Sequence, residues 1–502
     1  MRSTPFAFAL TILLAACSGG TTVGGTPEGV ANANQVAAPA RGSLIGGVTP
    51  VPIALSATVS ASTAQPSALG DFFNAAQAGT TDISGPPQCA VSVYRVHYNT
   101  VGGAGEPTDA SATVMVPSGS GTSCADSRPV LLYAHGTSLQ KSYDMADLAN
   151  NTEARLAAAV FAAQGFIVVA PNYTGYGGSS LGYHPYLDRD AQAADMIDAL
   201  RAARAAFPSI GARDSGKLMV TGYSQGGYVA VATQRTMQLQ AGAEFAVTAA
   251  AGMSGPYAMV EFGDQLFGGA PRDGATVVVP FIINAGQHAG ARLYNTPGDI
   301  YESQYAAGIV DLGPGTLGSS DLVNLGKLPA TARFAADSMP QTAGYTQYFG
   351  PGNLIRSAYR AAYLADMAAH PCSQNAPSPL ACAPAQALRA WLVRNDLRSY
   401  KPAMPLLLCG GDGDPTVPWF NTADSYIFFK ASGADVIQLD IDSSLDGIND
   451  FFRLPKIGFA AAKAALRASQ GGDAVASSYH AGLVAPFCMA ATRDWFQSIL
   501  AR

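Results

Sequence analysis

Apolar positions along this chain follow two rhythms. Residues 91–98 (VSVYRVHY) and 111–117 (SATVMVP) alternate apolar with polar, as half-buried strands do. The turn-rich stretch 102–107 between them predicts an antiparallel pair at a sheet edge. Residues 129–134 (PVLLYA), 166–170, 218–221 and 245–251 are continuously apolar, the pattern of strands buried on both faces. Ala-rich stretches with helical spacing, 153–164 and 188–206, lie between them. Strand, helix, strand, helix, strand is the order of an α/β fold, a mostly parallel sheet with helices on both faces.

The alternation stops after 255. Residues 256–400 mix Gly/Pro loops with helical pieces at 353–370 and 384–393, and read as a helical cap inserted between sheet strands. Strands resume at 404–409 (MPLLLC) and 435–440. A second insertion, 443–476, contains a helical stretch at 459–469, and a final helix is predicted over 485–500. The expected core is therefore 67–255 plus 401–502, interrupted by the cap. Residues 18–66 are Gly-, Ala- and Thr-rich with almost no charge, and read as a flexible tether, with order beginning at the helical spacing of 68–78.

Residues 1–17 have the layout of a secretory signal: a positive Arg2, a short apolar run at 6–14, then Leu14-Ala15-Ala16-Cys17. That ending resembles the bacterial lipoprotein signal. The resemblance implies that Cys17 is lipidated and anchors the exported chain to a membrane, and Ser18 is similar to outer-membrane sorting. Simple secretion is the alternative. Cysteine usage agrees with export, since six of the 7 Cys remain beyond Cys17. Cys372 and Cys382 bracket a Pro-rich loop, Cys89 and Cys124 flank the first strand pair, and Cys409 and Cys488 lie beside two candidate catalytic residues; spacing leaves the connectivity open. A net charge of -6 gives no footprint for nucleic acid, and no Cys/His spacing suggests a metal site.

The candidate chemistry centres on Gly222-Tyr223-Ser224-Gln225-Gly226, which follows the apolar strand and precedes a helix. A serine on such a tight turn is a nucleophile elbow, and Gly222 and Gly226 let the backbone crowd together. A second match, around Ser180, lies in a Gly/Tyr/Ser loop with no strand leading into it and is rejected. Serine needs a base, and the base needs a carboxylate. Asp414 follows the strand 404–409 in a D-x-x-V-P setting and ranks above Asp412. His480 comes after the last strand and directly before the last helix, giving the order Ser224, Asp414, His480. His184 reads as a packing or hydrogen-bonding histidine. The N–H groups of Gln225 and of Thr137, in the His135-Gly136-Thr137 loop, are the expected oxyanion donors.

Together with Asn172-Tyr173-Thr174-Gly175-Tyr176-Gly177 and His184-Pro185-Tyr186-Leu187, these motifs resemble the α/β-hydrolase superfamily, and within it the secretory lipase group, over roughly residues 90–500. The resemblance implies carboxylic-ester hydrolysis through an acyl-serine, on a small-molecule or lipid-like ester, with no metal or organic cofactor. Asn172 departs from the pattern, since an acidic residue is expected there. Cap aromatics Tyr257, Phe262, Phe267, Tyr348 and Phe349 are candidates to line an acyl pocket. A serine peptidase of the same fold and a non-catalytic lipoprotein binding hydrophobic ligands are the alternatives.

Overall fold

A computed structural model describes residues 39–372 and 378–502 of the chain. Ten strands form one sheet: β1 (Thr49–Val51), β2 (Thr63–Ala64), β3 (Ala90–Val101), β4 (Pro107–Ser118), β5 (Arg128–Ala134), β6 (Ile167–Pro171), β7 (Asp214–Tyr223), β8 (Val247–Met253), β9 (Leu406–Gly410) and β10 (Val436–Asp440). Their order is β1-β3-β4-β6-β5-β7-β8-β9-β10, with β2 also paired to β3. From β6 to β10 all neighbours are parallel, and β3, β4 and their partners add an antiparallel edge. Each parallel strand therefore ends on the same sheet edge, where this class of fold gathers functional loops.

The continuous apolar runs are explained by two covered faces. Val130 and Leu132 of β5, Leu218 and Val220 of β7, and Leu406 and Leu408 of β9 enter one core. Their neighbours Leu131, Tyr133, Met219, Leu407 and Cys409 enter the other. Helices α1 (Thr152–Val160), α2 (Arg189–Ala206) and α3 (Gln225–Gln240) supply the expected crossovers. Asp188 caps α2 through the N–H groups of Asp190 and Ala191, which fixes where that helix starts.

Between β8 and β9 the chain leaves the sheet for a helical segment that includes α4 (Met259–Phe267), α5 (Ala275–His288), α6 (Ser357–Ala369) and α7 (Ala387–Asn395). Its apolar side chains join the core on one face of the sheet. Helix α5 was not legible in the sequence. Its Val277-Val278-Val279 run favours strands and Pro280 breaks helices, yet burial of Val279, Phe281 and Ile283 holds it helical.

The expected tether is corrected at its C-terminal end. Residues 49–64 contribute β1, β2 and a small hairpin of Ile53–Ala54 with Ser60–Ala61, because the exposed edge of β3 offers unpaired backbone groups to any extended neighbour. The helix expected at 68–78 spans Pro66–Ala76. Cys17 and the signal-like segment lie outside the described residues. Among the described residues one helical run, Gly472–Leu500, is long and apolar enough to cross a membrane, but most of it is buried inside the protein. It comprises α8 (Gly472–Ser478), a π-helical turn over Tyr479–Val484, and α9 (Ala485–Leu500).

Candidate active site

Ser224 sits between β7 and α3 with φ 59° and ψ -120°, a strained conformation for a residue with a side chain. Neighbouring backbone closes around it. A Cβ on Gly226 would lie 1.9 Å from the carbonyl oxygen of Ala134, and one on Gly222 would lie 2.3 Å from that of Gly226. The two glycines are thus required by close approach, while the strain itself is borne by the serine. Its backbone N–H donates to the carbonyl of Met253 at the end of β8 (2.8 Å), which pins the turn to the sheet.

His480 and Asp414 converge on this serine. His480 Nε2 lies 2.9 Å from Ser224 Oγ, and Nδ1 lies 2.6 Å from Asp414 Oδ2. The other carboxylate oxygen of Asp414 accepts from the N–H groups of Thr416 (2.9 Å) and Val417 (3.0 Å), so the buried acid is held on both sides. Asp412 is exposed and does not reach the histidine. His480 occupies the π-helical turn, not an open loop, and such turns recur at functional sites. The Tyr223 hydroxyl donates to the His480 carbonyl. Next to it, the Tyr479 hydroxyl donates to Asp442 (2.6 Å) and accepts from the Gly413 N–H (3.1 Å), tying the Asp414 loop to the His480 turn. Disulfide Cys409–Cys488 adds a covalent tie nearby, between β9, which leads into the Asp414 loop, and α9, which follows the His480 turn. The other bridges are Cys89–Cys124 and Cys372–Cys382.

Ser224, His480, Thr137 and Gln225 all line one cavity of about 360 Å³. The N–H groups of Thr137 and Gln225 donate to no protein acceptor among the described residues, whereas the Thr137 hydroxyl is engaged by Tyr186 (2.7 Å). The remaining wall is largely aliphatic, with Met259, Leu266, Val278, Ile282 and Leu392 from α4, α5 and α7. Of the five cap aromatics considered, Phe262 and Phe267 face the cavity; Tyr257, Tyr348 and Phe349 are packed elsewhere in the core. The α4 wall is anchored from behind. Arg389 on α7 grips both oxygens of Asp264 (2.8 Å each) and reaches Asp366 on α6 (2.7 Å).

One site residue, Glu153, and one contact of His184 escaped the sequence reading. Glu153, on the first turn of α1, accepts from the Gly136 N–H (2.9 Å) and from the hydroxyls of Tyr133 (2.8 Å) and Tyr143 (3.2 Å). Burial pushes its carboxyl above the ordinary range, against these donors and the nearby His480. It fixes the loop that carries Thr137. His184 is buried as expected, but it also holds Gln225, the residue after Ser224. Its Nδ1–H donates to the Thr174 carbonyl (2.9 Å), leaving Nε2 to accept from the Gln225 amide (2.7 Å). Burial lowers its pKa to about 3, so it stays neutral in this role. Neither partner was detectable, because the first sits in an ordinary Ala-rich helix and the second depends on tertiary contact.

The unexpected Asn172 has a structural reason. Its Nδ2 donates to Ser111 (2.9 Å) and to the carboxylate of Asp144 (3.1 Å), while its Oδ1 accepts from the Met145 N–H (2.7 Å). An ionised aspartate could not donate to Asp144. Ser180 lies in an exposed loop with its hydroxyl bonded to Asp109, and among the described residues no histidine bonds that hydroxyl. Among the described residues no cluster of three or more ligating side chains could hold a metal ion.

Residues 152–258 match the model of the prolyl oligopeptidase family. Comparison with curated protein sequences returns no match. Crystal structures of LipA, a rice cell wall degrading esterase from Xanthomonas oryzae, are similar to nearly the whole chain. One is 25% identical with a TM-score of 0.68 and covers 92% of this chain and 99% of that chain. Another is 27% identical with a TM-score of 0.63, covering 80% and 91%. A putative hydrolase from Legionella pneumophila, 19% identical with a TM-score of 0.61 over 79% and 91% of the two chains, is similar in fold. With the elbow and the sheet order described above, these likenesses identify the chain as a serine hydrolase with the α/β-hydrolase fold.

Proposed function

We propose that the chain is a carboxylic-ester hydrolase acting on hydrophobic esters outside the cytoplasm, with Ser224, His480 and Asp414 as its catalytic triad. The observation that carries this reading is the bond chain Ser224–His480–Asp414 opening into an aliphatic cavity. In the first half-reaction Ser224 Oγ attacks the ester carbonyl carbon as His480 Nε2 takes its proton. Asp414 stabilises the imidazolium through Nδ1–H. The N–H groups of Thr137 and Gln225 receive the negative oxygen. Collapse expels the alcohol, which takes the proton from His480. Water, deprotonated by the same histidine, then releases the acid.

Residues 256–400 act as a cap, and its aliphatic side chains take the acyl group. Similarity to the secretory lipase group and to the LipA esterase supports an ester substrate. The three disulfides and the signal-like N-terminus, with Cys17 as the site of a lipid anchor, support export. The prolyl oligopeptidase match favours a second reading, a peptidase, but it spans only the shared sheet and α-helical layer. A peptidase acting at a free N-terminus needs an acid for the amine, and both carboxylates that line the cavity have partners: Glu153 is engaged by Gly136, Tyr133 and Tyr143, and Asp273 by the Tyr348 hydroxyl.

A series of p-nitrophenyl esters from acetate to long acyl chains, run beside aminoacyl amides, tests the reading. Ester turnover abolished by Ser224→Ala is expected. Preferential amide cleavage would replace the esterase by the peptidase, and full ester turnover in Ser224→Ala would refute the mechanism.

A further inference from the structure

The second insertion, between β10 and α8, has a face that the catalytic site does not use. Its helix, Arg453–Gln470, attaches to the body through Phe459, which packs against Tyr479 and Phe487. Phe452, just before the helix, is also buried. One apolar face is normal for a surface helix. This segment has two. Leu445, Ile448, Phe451, Leu454 and Ile457 recur at every third position and are all exposed, with Ile448 at 81% and Leu454 at 76% of full accessibility. No other stretch among the described residues gathers so many exposed large apolar side chains. Further along the helix the exposed side chains are small or polar: Ala460, Ala461, Ala464, Ala465 and Ala468 with Arg467, Ser469 and Gln470.

Charge indicates what covers this face. The helix carries Arg453, Lys456, Lys463 and Arg467 and no acidic residue, in a chain whose net charge is -6. Lys456 is paired with Asp450 (2.8 Å) and approached by Asp446 (3.6 Å), and Lys463 is paired with Asp442 (2.5 Å). Arg453 and Arg467 are exposed and make no ion pair among the described residues. A row of large apolar side chains with one unpaired arginine, Arg453, inside it and another, Arg467, further along the same helix matches an interface with apolar depth and negative headgroups. We infer that the segment 445–467 is a docking surface for an anionic lipid bilayer, independent of any lipid attached at Cys17. Because the Tyr479–Asp442 bond joins the insertion to the His480 turn, docking holds the catalytic edge close to the bilayer.

The test uses the full chain with Cys17→Ser, so that no acyl anchor contributes. Binding is read by co-sedimentation with vesicles of equal parts phosphatidylglycerol and phosphatidylcholine, and with phosphatidylcholine alone. Binding to the anionic vesicles that weakens with salt is expected. Ile448→Asp with Leu454→Asp should weaken it by about tenfold or more. Arg453→Gln and Arg467→Gln should each weaken it roughly fivefold, the share of one basic side chain at an anionic surface. Turnover of soluble p-nitrophenyl acetate should be unchanged in all of them, which verifies the fold. Absent binding by the parent chain, or equal binding by the variants, would overturn the inference. So would light scattering that finds a dimer dissolved by the Asp substitutions with no vesicle binding. The readout does not depend on which bond the enzyme cleaves.

Discussion

Glu153→Ala removes the carboxylate that holds the Gly136 N–H beside Ser224 without touching any member of the triad. The lost bond joins a charged acceptor to a backbone donor, worth about 1.5–3 kcal/mol. The released loop carries Thr137, and misplacing one oxyanion donor typically costs roughly 10²–10³ in turnover. A fall of about 10² in kcat is therefore expected, with little change in KM, since the donor acts on the transition state. Glu153→Gln should recover most of the loss. Its carbonyl oxygen can take the Gly136 and Tyr133 donors, and its amide can donate to Tyr143 where the second carboxylate oxygen stood. Steady-state kinetics on a soluble ester, with a thermal melt to verify folding, reads both variants. A Glu153→Ala enzyme with kcat within about threefold of the parent, or a defect confined to KM, would refute the positioning role.

Other consequences follow from burial and linkage. Arg389→Ala should cost about 3–5 kcal/mol in denaturant unfolding, because it strands the carboxylates of Asp264 and Asp366 in the cap. Arg389→Lys should recover little, having no fork to grip both oxygens of Asp264. Removing Cys409–Cys488 as a pair of serines opens a loop of 79 residues and should lower stability by about 4 kcal/mol on chain-entropy grounds, read by urea titration. His184 has a folded pKa of about 3 against an ordinary 6.5, so below 6.5 the unfolded chain binds a proton that the native one refuses. Stability from this group is complete above pH 6.5 and is lost as pH falls towards 3. His135, lowered by burial to about 4, acts in the same sense, and Asp195, raised to about 7, acts in the opposite one. The slope of urea midpoint against pH should therefore flatten below 6.5 in His184→Gln, and an unchanged slope would contradict the buried neutral state.

Where backbone crowding dictates residue type, the sequence was readable. Gly222 and Gly226 are written into the chain because nothing larger fits beside Ala134, and the parallel strands are written by apolar runs that two covered faces demand. Chain order then singled out Asp414 and His480, the two side chains that form a bonded chain with Ser224. Helix α5 was hidden because its β-branched run and Pro280 argue locally against the helix that tertiary burial imposes. Strands β1 and β2 were hidden by low-complexity composition, since their pairing depends on the edge of β3 and not on their own side chains. Glu153 and the Gln225 contact of His184 had no local signature. Each serves the site only through neighbours distant in sequence.

The most direct test is covalent. Incubation with a fluorophosphonate followed by peptide mass mapping should place a single adduct on Ser224, and His480→Ala should lose both labelling and ester turnover. An adduct on Ser180 or elsewhere, or undiminished labelling without His480, would contradict a site built from residues 224, 414 and 480.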